Sequence, residues 1–331
     1  MIKIFFVTSE SKNSFGVNEV IKFLGKELNR YCLVYKKLSV LNLINKKIDI
    51  LHIHGCWSIK IFFYFLLAKL NSIKIIISPH GMIDPYSFTQ KAVQKKFAWF
   101  IFQKIIFKYS DIIIVNSLLE KKNVFSLTKH QNIKTIPHGI RISEIDVIKR
   151  TKLKREIKFV FFSRIHPGKN LMQLVDIWLN SNFFKKFKLT IYGEITDDAY
   201  FIKIKNKITN LKNIIYKGPL YKNKIMKLSR YDVFLFPSKS ENFGLVVLEA
   251  LSAGLFLIIN KNLPWKKLKS KKLASLIKFS EQNLIKSIKD NKKNIFSVTR
   301  KKIINKFLKK NYDWNKISQI YLNTYKFTKK F

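Results

Sequence analysis

Two glutamates, Glu241 and Glu249, stand at either side of a seven-residue, mostly apolar stretch in "SENFGLVVLEALSAG", which begins at Ser240. A carboxylate placed in a segment that reads as core is costly unless it is paired or binds something. The surrounding pattern predicts a buried strand "VFLFPS", a loop "KSENF" and a helix that starts near Gly244 and ends at Gly254, a glycine suited to a C-cap. Glu241 then lies at a helix N-terminus, where backbone N–H groups and the helix dipole also point, and Glu249 falls in the second turn. A carboxylate accepts hydrogen bonds from hydroxyls in pairs, which suits a sugar or a ribose, and Gly244 lets the backbone approach such a ligand closely. Taken as an isolated pair, the two acids read first as a solvated loop residue and a helix residue at a domain edge.

Two further sets of residues invite a chemical reading. In "FFSRIHPGKN", Arg164 and Lys169 lie five apart across a strand-to-helix loop. Fixed cations there would stabilise a diphosphate leaving group as its negative charge grows, Arg through a planar fork and Lys through a mobile point charge. In a chain with 64 basic residues, either one is equally at home on the surface. His80, in "SPHGMIDP", follows an apolar strand and precedes a glycine, a place where a histidine is often structural. His52 and His54 alternate along one strand with no third ligand in view, and there is no Asp-x-Asp motif to hold a metal. The expectation is a metal-free site with no cofactor.

The chain has 331 residues, 47% of them hydrophobic and 25% charged, a globular composition long enough for two domains. Its formal net charge of +44 implies attraction to polyanions: nucleic acid, an anionic lipid surface or phosphate-bearing substrates. A genome biased toward A and T offers a second source, since Lys, Ile, Asn and Phe are all abundant and the lysines are spread along the chain. Two cysteines, Cys32 and Cys56, give no disulfide framework and point to a reducing compartment. "MIKIFFVTSE" reads as a first strand and not as a signal peptide. No apolar run reaches the roughly 20 residues of a spanning helix, so a cytoplasmic protein is expected, soluble or peripheral on the inner face of the membrane.

Positioning these residues is the task of short β-rich runs alternating with helical stretches. The runs are "IKIFFVTS", "IDILHIHG", "IKIIISPHG", "DIIIVNS" and "IKTIPHG", then "IKFVFFSR", "FKLTIYGE", "YDVFLFPS" and "LFLIIN". Continuous apolar strands with crossover helices mean parallel sheets covered on both faces. The charged stretch "KRTKLKRE" at 149–156 separates the two sets. The fold class is therefore α/β, two doubly wound Rossmann-like domains, residues 1–148 and 149–313. A helix with an apolar stripe at Trp314, Ile317, Ile320, Tyr321 and Tyr325 packs 314–331 back on the first domain. Several strands end at Gly55, Gly81, Gly139, Arg164, Gly193 and Ser238. Ligands of open α/β sheets bind beyond the carboxyl ends of the strands, so two such domains facing each other would line a central cleft.

The wider motif resembles that of the retaining glycosyltransferases of family four, whose two-domain fold is called GT-B. Their setting, PS-x-x-E-x-F-G-x-x-x-x-E-A-x-x-x-G, is met by Pro237, Ser238, Glu241, Phe243, Gly244, Glu249, Ala250 and Gly254. The likeness extends through "HIHGCW", "PHGMIDP", "IPHGI", "FFSRIHPGKN", "YGE", "KGPL" and "LPW", and is most like bacterial enzymes of surface polysaccharide (lipopolysaccharide, capsule, exopolysaccharide) assembly. The resemblance implies a nucleotide-diphospho-sugar donor in the C-terminal domain. Its diphosphate would meet Arg164 and Lys169, its ribose Glu249, and its sugar hydroxyls Glu241 with the amides of Asn242, Phe243 and Gly244. The loops at Gly193, Glu194 and Leu220 would hold base and ribose. His80 would be the active-site histidine and Gly16, in the first strand-to-helix turn, would give room near phosphates and acceptor. Three departures stand out: Phe15-Gly16 replaces two adjacent glycines, His138 replaces Asn and Arg141 replaces Asp.

"FTQKAVQKKFAWFIFQKIIFKY" mingles lysines with Phe97, Trp99, Phe100 and Phe102. It reads either as an interfacial helix on an anionic membrane or as a core helix with a solvated lysine face. The expectation is metal-independent, retaining transfer of a hexose to a saccharide or lipid-linked saccharide, with no nucleic acid bound. Two rival readings stay open: an inactive sugar-nucleotide-binding relative, and a basic nucleic-acid-binding protein, for which no recognised motif appears. A dinucleotide oxidoreductase lacks its G-x-G-x-x-G after the first strand.

Overall fold

The structure, a computed structural model, describes residues 1–8, 15–36, 43, 45, 47–141, 156–297 and 299–330. The chain divides into two compact units, Met1–Gly139 with Tyr312–Phe331, and Ile140–Asn311. The boundary expected between 148 and 149 lies outside the described residues.

The N-terminal unit holds a six-stranded parallel sheet in the order β2-β1-β3-β4-β5-β6. Its strands are β1 (Lys3–Thr8), β2 (Leu33–Tyr35), β3 (Ile50–His54), β4 (Lys74–Ser78), β5 (Ile112–Val115) and β6 (Ile133–Thr135). The second unit holds another, in the order β12-β11-β10-β7-β8-β9. Here the strands are β7 (Phe159–Phe162), β8 (Leu189–Tyr192), β9 (Ile214–Tyr216), β10 (Val233–Phe236), β11 (Phe256–Asn260) and β12 (Ala274–Ile277). Both sheets are covered by helices, as continuous Ile, Val, Leu and Phe runs require. Three strands have no counterpart among the sequence-predicted runs: β2, β9 and β12. Each lies at or beside a sheet edge and is mostly half-exposed, so it lacks the unbroken apolar signal of a central strand.

Aspartates fasten the amino ends of these sheets. Asp49, just before β3, accepts from the Lys3 amide of β1 at 2.8 Å. Asp111, before β5, accepts from the Ile75 amide of β4 at 2.8 Å. Asp232, before β10, accepts from Lys158 beside β7 at 2.9 Å. Each carboxylate satisfies a strand-end N–H that would otherwise lack a partner.

The Trp314–Lys330 helix packs on the Phe15–Leu28 helix of the N-terminal unit. Its buried stripe is Trp314, Ile317, Tyr321, Leu322 and Tyr325; Ile320, expected in that stripe, is 45% exposed. Positions 314, 317, 321 and 325 keep the helical period, and Ile320 falls one position off it.

The basic aromatic stretch has a buried side and an exposed side. It runs as Ala92–Ala98, a π-helical turn Trp99–Gln103 and Lys104–Tyr109. Trp99, Phe102, Ile106 and Phe107 enter the core, while Val93, Phe97 and Phe100 are 82%, 69% and 73% exposed. Phe62 of the neighbouring Ile59–Leu70 helix packs on Phe102, and that helix exposes Ile59, Phe63 and Leu70. Among the described residues no helix is long and apolar enough to cross a membrane.

In the second unit, a buried arginine closes helix ends. Arg300 donates to the carbonyls of Ile295 and Gly254, each at 2.8 Å, and to that of Asn294. Gly254 follows the Leu245–Ser252 helix, so Arg300 supplies donors to carbonyls that a helix terminus leaves open. Arg300→Met should leave these acceptors unpaired and lower stability by about 3 kcal/mol. Urea unfolding checks this, and an unchanged midpoint contradicts it.

Candidate active site

The order of the second sheet places its topological switch between β7 and β10: the chain builds β7-β8-β9 outward in one direction and then returns to add β10 on the other side of β7. Loops leaving the two switch strands diverge and leave a crevice, the usual ligand position in such sheets. Those loops carry Arg164 to Lys169 after β7 and Ser238 to Gly244 after β10.

They are fastened together. The Lys239 amide donates to the Gly168 carbonyl at 3.0 Å, and Ser238 Oγ donates to the same carbonyl at 3.3 Å. Lys169 forms an ion pair with Glu241, with side chains only 14% and 11% exposed. Ser238 Oγ lies 3.0 Å from Glu241 Oε1, and the Lys169 ammonium stands over the Phe236 ring. His166 shapes the loop by accepting from the Gly168 amide at 3.1 Å through Nδ1. Burial, with Arg164 nearby, lowers the His166 pKa and favours this neutral form. Arg164 itself is exposed.

Glu249 has a separate partner. Lys224, at the start of the Lys224–Leu228 helix, lies 2.8 Å from Glu249 Oε1 with both side chains mostly covered. The two acids are therefore not a free carboxylate pair; each arrives with its own lysine. Gly244 caps the Leu245–Ser252 helix at φ +78, where an added Cβ would find ordinary contact distances and backbone conformation alone demands glycine. Trp265 supports the loop from beneath, donating its indole N–H to the Phe243 carbonyl at 2.7 Å and packing on that ring. Asn242 Oδ1 is buried without a hydrogen-bond partner.

The β8 and β9 loops adjoin. Gly193 donates to the Gly218 carbonyl at 3.0 Å and accepts from Tyr216 OH at 2.8 Å. A Cβ on Gly193 would lie 2.0 Å from the Ser163 carbonyl oxygen, so only glycine permits this approach to the β7 loop. Glu194 is exposed beside Tyr221, and Leu220 is buried.

In the N-terminal unit, His80 follows β4 with a left-handed backbone, φ +51, and Gly81 continues at φ +77. Such a conformation persists in a non-glycine residue only when its surroundings hold it. Glu120 is what holds this turn: it accepts from the Gly81 amide at 2.7 Å and the Asn116 amide at 2.6 Å. Sequence reasoning missed this residue, although Ser117-Leu118-Leu119-Glu120 has the spacing of a capping box and Ser117 does cap the Glu120 amide. No comparable signal marks Lys224, one lysine among many. Gly16 corrects an expectation: it is the second residue of the Phe15–Leu28 helix and not part of a turn. Residues 9–14, which precede that helix, lie outside the described residues.

Four histidines stack inside this unit. Ring centroids of His52 and His54 are 4.0 Å apart, His54 and His80 5.3 Å, and His80 and His138 5.6 Å. The substitution of His138 for asparagine thus extends a column. Among the described residues no group of three or more His, Cys, Asp or Glu is arranged to hold a metal ion. Burial pushes all four imidazoles down, His80 to about 4 and the others well below 6.5. The unfolded chain takes up these protons as pH falls through 6.5, while the folded chain does not. Stability should therefore be fully present above about pH 6.5 and decline toward pH 4. A melting temperature at pH 5 no lower than at pH 7 contradicts this.

Residues 5–144 match the family description "Glycosyltransferase Family 4", and residues 143–290 match "Glycosyl transferases group 1". An uncharacterized 41.2 kDa protein in the cps region of Klebsiella pneumoniae is 25% identical over 294 residues, 85% of this chain and 79% of that protein. The crystal structure of Anabaena Alr3699/HepE in complex with UDP has a TM-score of 0.77 at 15% identity, over 98% of this chain and 99% of that one. WaaG, a glycosyltransferase involved in lipopolysaccharide biosynthesis, has a TM-score of 0.67 at 9% identity, over 96% and 98% of the two chains. Two parallel six-stranded units, these neighbours of like architecture and two consecutive domain matches together place the chain among the glycosyltransferases of GT-B fold, a Family 4 domain followed by a group 1 domain.

Proposed function

We propose that the chain transfers a sugar, with retention of anomeric configuration and without a metal, from a nucleotide-diphospho-sugar to a saccharide or lipid-linked saccharide in bacterial surface polysaccharide synthesis. The observation that carries this reading is the joining of the β7 and β10 loops at the switch point, where Lys169 and Glu241 meet. Arg164 and Lys169 are suited to the diphosphate. Their attraction grows as the bond between the anomeric carbon and phosphate oxygen breaks, so they stabilise the transition state more than the bound donor. Glu241 is suited to the sugar hydroxyls and Glu249 to the ribose. The acceptor oxygen bonds to the anomeric carbon on the face that the phosphate leaves, and its proton passes to the departing phosphate oxygen. Support for the donor class comes from Alr3699/HepE, whose crystal structures include complexes with UDP and UDP-glucose. Support for the pathway comes from the cps region of the Klebsiella relative and the role of WaaG.

A membrane contact belongs to the same proposal. Between residues 51 and 110 Asp84 is the only acid, and eight lysines accompany the exposed Phe63, Phe97 and Phe100. Apolar side chains with basic neighbours suit the interface of an anionic bilayer, here the inner face of the cytoplasmic membrane.

With a panel of nucleotide sugars as donors, Arg164→Ala and Glu241→Gln should each lower kcat/KM by about 100-fold or more, as loss of a transition-state contact does. Glu249→Gln should mainly raise donor KM, and EDTA should leave the rate unchanged. Wild-type turnover in either of the first two variants removes the assigned site; inhibition by EDTA removes the metal-free mechanism. In co-sedimentation, the protein should prefer phosphatidylglycerol-containing vesicles to pure phosphatidylcholine, and Phe97→Ser with Phe100→Ser should weaken that binding several-fold. Equal binding to both vesicle types contradicts the membrane contact.

A further inference from the structure

Resting on the assignment of the β7 and β10 loops to the donor, we propose that Glu241 competes with the donor's diphosphate for Lys169, so that the site holds the intact nucleotide sugar more tightly than the nucleoside diphosphate left after transfer. Lys169 is the cation suited to the diphosphate, Glu241 is the acid suited to the sugar hydroxyls, and the two are paired directly with each other. An anion that takes Lys169 therefore takes it from Glu241.

Nothing else on the loops replaces that ammonium. Among the described residues, Lys169 is the only cation within ion-pair distance of Glu241. Ser238 Oγ also reaches Glu241, at 3.0 Å, but its single proton has two further acceptors, the Ser240 carbonyl at 3.0 Å and the Gly168 carbonyl at 3.3 Å. One divided hydroxyl does not balance a whole charge. The loops are also tied to each other by backbone, with the Lys239 amide on the Gly168 carbonyl at 3.0 Å and Asn170 Nδ2 on the Pro237 carbonyl at 3.4 Å. Retreat of one loop would break those bonds, so the adjustable part is the lysine head on its four-carbon stem.

The sign of the effect differs between substrate and product. A diphosphate alone draws on Lys169, weakens the counter-charge of Glu241 and adds a like charge beside it, in a place where both side chains are mostly covered and water screens little. The intact donor brings the same diphosphate together with sugar hydroxyls, which donate to the carboxylate and offset that loss. Glu241 thus opposes the nucleoside diphosphate and is satisfied by the nucleotide sugar. When the sugar moves to the acceptor its hydroxyls leave the carboxylate, Glu241 reclaims Lys169, and product release follows. Glu249 has no such part, because its lysine is Lys224 and the ribose that suits it belongs to donor and product alike.

Titration calorimetry of the full chain at physiological ionic strength, with inorganic pyrophosphate and with UDP, GDP and ADP, tests the competition. Glu241→Gln should bind pyrophosphate, and whichever nucleoside diphosphate the wild type prefers, about tenfold more tightly, although the same variant is slow in transfer. Glu241→Ala should move in the same direction. Glu249→Gln should do the opposite with the nucleoside diphosphate, weakening it, and leave pyrophosphate unchanged. Asp176→Asn removes an acid paired with Lys207 away from these loops and should change neither affinity; tightening equal to that of Glu241→Gln would trace the effect to net charge and overturn the proposal. Unchanged or weaker pyrophosphate binding in Glu241→Gln overturns it too, as does an equal gain in a Lys169→Met background, where no cation is left to compete for. Within the wild type, the nucleotide sugar that serves as donor should bind about tenfold more tightly than its nucleoside diphosphate. The reverse order contradicts the proposal even if neither Glu241 variant folds. Pyrophosphate carries neither base nor sugar, so a failure of the glycosyltransferase reading shows in the nucleotide-sugar panel and a failure of the competition shows in the pyrophosphate series.

Discussion

Pairing β10 against β7, and not against β9, is the constraint on which the candidate donor site depends. In a parallel sheet every strand delivers its following loop to the same end, and only where the strand order reverses do neighbouring loops part to leave a crevice. Val233 beside Phe159 and Phe234 beside Val160 set that register. From it follows the meeting of two loops that are 72 residues apart in sequence at Lys169 and Glu241. The Ser238 and Lys239 contacts to Gly168, the glycine required at 193 and the Trp265 support beneath Phe243 all fix those loops relative to their strands.

Acids are scarce here, 20 against 64 basic residues. At the amino ends of the strands, Asp49, Asp111 and Asp232 accept backbone amides and close the sheets. Near the carboxyl ends, Glu120 accepts two amides and shapes the His80 turn, while Glu241 and Glu249 meet lysines. A lysine partner leaves remaining oxygen lone pairs for hydroxyl groups and maintains local neutrality, which limits the desolvation cost of holding an acid in a covered site.

The two units solve burial of polar groups differently. The second gathers cations and acids in ion pairs, whereas the first stacks neutral imidazoles. Alternate positions of β3 place His52 and His54 on one face, and the register of β3 with β1 brings the Phe6 ring against both. A charged imidazole in that column would face its neighbours in a medium that poorly screens repulsion, so neutrality is the condition for packing them.

By itself the amino-acid sequence determined the parallel α/β architecture, because uninterrupted apolar runs of four to five residues between helical stretches have few other ways to be buried on both faces. It also marked Glu241, Phe243, Gly244 and Glu249 as a local pattern, whose spacing the strand, loop and helix there preserve. The short strands β2, β9 and β12 were not legible, because half-exposed edges need no continuous apolar pattern. Partnership was decided only by tertiary structure: Lys224 with Glu249, Glu120 with Gly81, and His54 with His80 each join residues 25 to 39 apart in sequence. Spacing along the chain specifies what one element can present; which lone pair meets which proton depends on how separate elements pack, and that is settled in three dimensions.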